Sequence, residues 1–154
     1  MSSMTNEEFA KAITKAININ KVIKPNRLNS MLDLKLLDCS IEKKSASFLF
    51  EPQEWCLNPY DGVHGGTIAS IFDYAGGLMS LVVGQHFVTT TSLATSYLKP
   101  MDGKRFRVEV ELTHIGRRMS NMNGRIYDMD TDTLCATSEI NYLITENKAM
   151  GLQN

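Results

Sequence analysis

Asn58-Pro59-Tyr60-Asp61-Gly62-Val63-His64-Gly65-Gly66 runs directly into Thr67 to Val83, and this passage decides the fold. Its first part, rich in Asn, Pro, Asp and Gly, reads as a loop. Its second part sets Ile68, Ile71, Phe72, Ala75, Leu78, Met79 and Val82 on a wide helical stripe. Asp73 is the only charged residue between Gly65 and Gly84. A helix apolar almost all round is expected to be buried, so the rest of the chain must supply its cover.

On the N-terminal side, Thr5 to about Asn20 reads as a short helix. Thr5 is placed to cap it, Glu7 and Glu8 lie in its first turn, and Phe9, Ile13, Ala16 and Ile17 share one face. Met31 to Cys39 and Ser45 to Phe50 read as strands joined by a turn at Ile41 to Lys44, with Ala46, Phe48 and Phe50 alternating with more polar neighbours. On the C-terminal side, strands are expected at about Phe87 to Leu98, Arg105 to Ile115, Asn121 to Asp128 and Leu134 to Ile144. Turn signals at Pro100 to Gly103, at Gly116 and at Asp128 to Thr133 divide them. Short connections imply an antiparallel sheet, and the polar last ten residues are expected to fray. The expected class is α+β: one domain over residues 1–154, with a curled antiparallel sheet wrapped around one long central helix, the N-terminal helix at about 5–20 and the core at about 31–144.

Composition narrows the function. The chain has 154 residues, 43% of them hydrophobic, enough for one core, and a formal net charge of −1. That balance argues against nucleic acid or an anionic membrane as the main partner, and no apolar run approaches the ~18 residues of a membrane span. Cys39, Cys56 and Cys135 are odd in number and widely spaced, as expected for reduced thiols. The N-terminus lacks the basic and apolar regions of a signal peptide, so a cytoplasmic protein is expected. His64, His86 and His114 show no zinc-ligand spacing, and no metal is expected. Asp128, Asp130 and Asp132 with Glu139 imitate a calcium loop, but Thr133 stands where that loop requires glycine, and a hairpin turn fits better. No basic recognition helix precedes Met31.

A lone acid in a buried helix needs donors or a shifted pKa. Gly65-Gly66 opens the same helix, where free backbone N–H groups and the positive end of the dipole point outwards and a ligand can approach the backbone closely. Such a terminus can hold an oxyanion. The alternatives are that Asp73 is a satisfied core or interface acid and that the glycines only make a tight turn, but Gly65-Gly66 following His64, with Asp73 two and a half turns later, is a stronger signal than the glycines alone.

The set Asn58-x5-His64-Gly65-Gly66-x6-Asp73 resembles the signature of the hotdog-fold thioesterases of the phenylacetate-pathway and 4-hydroxybenzoyl-CoA type. The likeness continues through Val88-Thr89-Thr90-Thr91-Ser92-Leu93, Tyr97-Leu98-Lys99-Pro100 and Gly116-Arg117-Arg118, and spans about Met31 to Ile144. It implies the hotdog fold and hydrolysis of an acyl-coenzyme A (acyl-CoA). Asp73 would be general base or nucleophile, and the Gly65 N–H the oxyanion donor, assisted by that of Gly66. Asn58 would position the water or the carbonyl, and His64 would hold the loop. Thr90 would orient the water, with Thr89 and Thr91 as rivals. Val63, Gly66 and Thr89 would border the substrate, and Arg117, Arg118, Met119 and Ser120 would lie near the coenzyme. No cofactor is implied beyond the coenzyme A of the substrate, and aryl, short-chain and medium-chain acyl groups fit the motif alike, on CoA or on an acyl carrier protein. The competing functions are a hotdog hydratase or dehydratase, which uses a catalytic His in a different motif, and a non-catalytic acyl-CoA binder, for which Asp73 has no use.

Spacing adds a further expectation. Gly65 and Asp73 are eight residues apart, or ~12 Å along a helix. Both must act on one carbonyl with reacting atoms about 3 Å apart. If both roles hold, Gly65 of one chain works with Asp73 of another, across the two-fold axis of a homodimer. The resemblance likewise implies a homodimer or homotetramer.

Overall fold

A computed structural model describes residues 3–149. In chain order it contains α1 (Asn6–Ile23), α2 (Leu28–Leu32), β1 (Lys35–Ser40), β2 (Ser45–Phe50), a single 3-10 turn at Glu54–Cys56, α3 (Gly65–Gly84), β3 (His86–Tyr97), β4 (Phe106–Ile115), β5 (Met119–Asp128) and β6 (Thr133–Lys148). The six strands form one antiparallel sheet in the order β1-β2-β4-β5-β6-β3. It curls around α3, whose side chains meet β2, β3, β4, β5 and β6. This is the sheet around one helix that the central passage predicts. By length and composition α3 could also cross a membrane, a property the sequence reading did not credit, but here it is the core helix, more than half buried in the sheet.

Strand alternation places the cover. Phe48 and Phe50 on β2, Phe106 and Val108 on β4, Met122 and Ile126 on β5, and Ile140 and Tyr142 on β6 are all buried against α3. Two glycines let the layers close. A Cβ on Gly76 would lie 2.5 Å from the Tyr142 hydroxyl, and one on Gly124 would lie 2.5 Å from the Phe72 ring. Gly124→Ala therefore cannot be accommodated unless the fully buried Phe72 moves. Overpacking of this kind costs about 1–3 kcal/mol. Thermal unfolding should show Tm lowered by roughly 3–10 °C; an unchanged Tm would mean that the contact is not made.

Thr5 caps α1 as expected, and the cap is reciprocal: the Glu8 N–H donates to the Thr5 hydroxyl (3.2 Å) and the Thr5 N–H donates to the Glu8 carboxylate (2.8 Å). Phe9, Ala12, Ile13, Ala16 and Ile17 are buried against α3 and β1. Three boundaries differ from expectation. α1 continues to Ile23. The expected strand from Met31 begins only at Lys35, because Leu28–Leu32 turn helical and Asp33 ends that turn in the left-handed region at φ 52°. Thr145 to Lys148, expected to fray, belong to β6 and extend to a pairing of Lys148 with His86 of β3; the remaining polar residues from 150 lie outside the described ones. β3 is an edge strand, paired on one side only.

Candidate active site

The loop before α3 is held by its own side chains. Asn58 Oδ1 accepts from the N–H groups of Tyr60 (2.8 Å) and Gly62 (3.2 Å), and the Asn58 N–H donates to the Gly62 carbonyl (2.7 Å). Two donors on one oxygen fix the amide, so its Nδ2 is left as a donor. His64 is the N-cap: its own N–H donates to the Cys56 carbonyl (2.8 Å), and its Nδ1 accepts from the Gly66 N–H (3.0 Å). With Nδ1 accepting, Nε2 is the ring nitrogen left to donate. The same bond corrects one expectation. The Gly66 N–H is occupied and does not assist at an oxyanion.

Gly65 is different. Among the described residues its N–H has no hydrogen-bond partner, and it stands at the positive end of a 20-residue helix. Tyr97 of β3 lies over Gly65. A Cβ there would sit 3.5 Å from the Tyr97 ring, and the Tyr97 hydroxyl donates to the Gly65 carbonyl (2.8 Å). Asn58, Val63, Gly65, Ile68, Tyr97 and Met101 border a cleft of about 340 Å³. Tyr97 was not singled out from the sequence as a site residue; its only signal was a place in the run Tyr97-Leu98-Lys99-Pro100.

Asp73 lies half-buried farther along α3. The Thr90 hydroxyl donates to its Oδ1 (2.6 Å), and the Tyr142 hydroxyl donates to its backbone carbonyl (2.7 Å). Burial, reinforced by the neighbouring Asp73 charge, pushes the Tyr142 phenol far up, so it stays protonated. Of the three threonines, Thr90 faces the acid. Thr91 donates instead to the Asn141 carbonyl (3.1 Å), and strand alternation turns Thr89 away from Thr90. Asp73 and Thr90 border a second cleft, of about 290 Å³, with Tyr74, Leu78, Leu81 and Val88. The structure thus brings Asn58, Val63, His64 and Gly65 together at one place and Asp73 with Thr90 at another. Within one chain it does not bring the two groups into one cleft.

Arg117 and Arg118 are exposed on the β4–β5 turn, bordering a third cleft of about 780 Å³ with His86, Ile144, Thr145 and Glu146. Neither arginine takes part in an ion pair among the described residues. Met119 is half-buried. Ser120, expected near the coenzyme, is fully buried, and its hydroxyl is 2.5 Å from that of Ser80 on α3. Alternation along β5 turns it inwards, so it joins sheet to helix and cannot meet a ligand. The acidic run at Asp128 is a turn in which Asp128 Oδ1 accepts from the N–H groups of Asp130 (2.8 Å) and Thr131 (3.4 Å). Among the described residues no group of three or more His, Cys, Asp or Glu could hold a metal ion.

Residues 60–135 match the family model described as the thioesterase superfamily. A search of curated proteins finds no match. Among solved structures, the chain resembles the PaaI protein of the Escherichia coli phenylacetic acid degradation operon at 13% identity and a TM-score of 0.78, covering 94% of this chain and 99% of that one. A Haemophilus influenzae thioesterase is similar at 14% identity and a TM-score of 0.73, over 97% and 95% of the two chains. A Streptococcus mutans protein solved with acetyl-CoA bound is similar at 20% identity and a TM-score of 0.67, over 75% and 91%. At these identities the likeness is one of fold.

Proposed function

We propose that this chain is a thioester hydrolase of the thioesterase superfamily, whose model its residues 60–135 match, and that it hydrolyses an acyl-CoA, with Asp73 as base or nucleophile and the Gly65 N–H as oxyanion donor. The observation that carries the proposal is the Thr90 hydroxyl on Asp73 Oδ1. One carboxylate oxygen is held, and the other is left to take a proton from water or to attack. A thioester has a good leaving group, so polarising its carbonyl and activating the nucleophile is most of what catalysis requires. The unpartnered N–H of Gly65 and the free Nδ2 of Asn58 are the donors on the other side of the reaction.

These donors and Asp73 lie in separate clefts, which supports a site shared between two copies. The β3 edge offers the means to pair them. It is twelve residues long, free on one side, and carries exposed Phe87 and Tyr97, with Leu98 just beyond. We assign the nucleotide of coenzyme A to the turn at Arg117 and Arg118, where guanidinium groups without carboxylate partners suit phosphates.

Thiol release across aryl-, short- and medium-chain acyl-CoA is the direct test. Turnover supports hydrolysis; binding with no thiol released, or hydration of an enoyl-CoA instead, refutes it. The coenzyme assignment makes a separate prediction. Arg117→Ala with Arg118→Ala should raise KM about 10-fold or more for CoA thioesters and little for the same acyl group on pantetheine, since a charge-assisted contact removed from each arginine costs about 1.5–3 kcal/mol. Equal effects on both substrates would remove the arginines from nucleotide recognition.

A further inference from the structure

We propose that Asn20 and Asn29 select the acyl group, favouring one that carries a hydrogen-bonding substituent over a hydrocarbon of the same size. The proposal rests on Asp73 being the catalytic carboxylate. Among the clefts described above, the one that touches Asp73 is bordered by α1, α2, α3 and β3, with Tyr142 of β6. Its floor is α3, through Asp73, Tyr74, Leu78 and Leu81. One wall is β3, through Phe87, Val88 and Thr90. Asn20, from the last turn of α1, and Asn29, from α2, provide another.

The sheet order explains why these walls differ. β3 lies at one edge of the sheet and β1 at the other, and α1 packs on β1 and α3. Asn20 and Asn29 thus reach the cleft from the N-terminal helices, and Phe87, Val88 and Thr90 reach it from the sheet edge. An acyl group whose carbonyl meets Asp73 lies on the leucines of α3, within reach of two amides. Within one chain the cleft measures about 290 Å³, at the small end of ligand pockets. Asn20 lies beside the buried Tyr74, whose phenol burial pushes up to about 12 while Asn20 offsets part of that rise, and Asn29 is exposed on α2.

An amide has both donors and acceptors. A plain alkyl group laid against Asn20 and Asn29 strips their water and returns nothing, whereas a hydroxyl or carbonyl replaces it. Sites that hydrogen-bond a substituent reject the analogue lacking it far more strongly than apolar sites reject an extra methylene. Both asparagines precede the stretch 60–135 shared with the family, so this selectivity belongs to the N-terminal helices and can vary independently of the catalytic groups.

The test compares kcat/KM within matched pairs differing by a hydroxyl in place of a methyl: omega-hydroxyhexanoyl-CoA against heptanoyl-CoA, and hydroxybenzoyl-CoA against toluoyl-CoA. The wild type should favour the hydroxyl member of at least one pair by about 10-fold or more. Asn29→Leu should reduce that preference, and Asn20→Leu with Asn29→Leu should level or reverse it. Where the double variant does not fold, Asn29→Leu, an exposed change, decides alone. A wild type that favours the methyl members, or a preference unmoved in folded Asn29→Leu, overturns the proposal while leaving Asp73-dependent hydrolysis standing. Turnover that survives Asp73→Asn instead overturns the catalytic reading, and the proposal with it.

Discussion

Asp73→Asn is expected to lower kcat for thioester hydrolysis by at least ~100-fold, the scale on which a positioned general base contributes, in a protein that stays folded. The amide keeps the size of the carboxylate and one acceptor oxygen, so the Thr90 hydroxyl retains a partner. The Tyr142 hydroxyl binds the backbone carbonyl of residue 73, which the substitution does not touch. Removing the carboxylate charge also removes one of the causes that raise the Tyr142 phenol, but burial is the larger one and keeps it protonated. Packing around α3 is thus preserved and the lost function is chemical: an amide neither takes a proton from water nor attacks a carbonyl. KM should change little, because the effect falls on the transition state. Steady-state thiol release beside circular dichroism checks both halves, and near-wild-type turnover in a folded variant would take Asp73 out of the reaction.

Most of the frame could be read from local pattern. The apolar stripe of α3, the Thr5 cap and the alternation of β2 each depend on residues close in sequence, and each is found. Failures occur where one local pattern imitates another. Leu32, Leu34 and Leu36 alternate like a strand, yet Leu32 ends a helix and Asp33 reverses the chain before β1 begins. Polarity at Thr145 to Lys148 imitates a loose end, although backbone pairing with β3 is indifferent to side chains. At the site, the motif brought out Asp73, Gly65 and Asn58. It could not show that His64 occupies the Gly66 amide or that Ser120 faces inwards to Ser80, because both depend on the direction of a side chain. Tyr97, Asn20 and Asn29 escaped notice for a different reason. Gly65 and Tyr74, beside which Tyr97 and Asn20 lie, are more than thirty residues away from them in sequence, and Asn29 likewise meets Asp73 in one cleft only once the chain has folded.

The shared site makes the second large prediction, and Gly65→Pro is the variant that isolates it. Gly65 is the first residue of α3, the position where proline is best tolerated because its missing N–H has no helical partner. His64 before it is already extended, at φ −60° and ψ 136°, as a residue preceding proline must be. Gly65 is outside the left-handed region, and a Cβ there meets Tyr97 only at ordinary contact distance. The substitution therefore deletes one N–H and leaves the helix start in place. Loss of an oxyanion donor costs ~100–1000-fold in kcat, so Gly65→Pro alone should be nearly inactive, like Asp73→Asn. Mixing the two as unfolded chains and refolding them together gives a different result if each site takes Gly65 from one chain and Asp73 from the other. A dimer holding one chain of each kind then has one site with both native groups and one with neither. With random pairing, half the dimers are mixed, and activity should return to about a quarter of wild type. Were both groups to act within one chain, every site in the mixture would carry one defect and the activity would stay at the level of the single variants. Mixed dimers shown to have formed by differential tagging, yet remaining inactive, would therefore disprove the shared site even if each residue proved essential by itself.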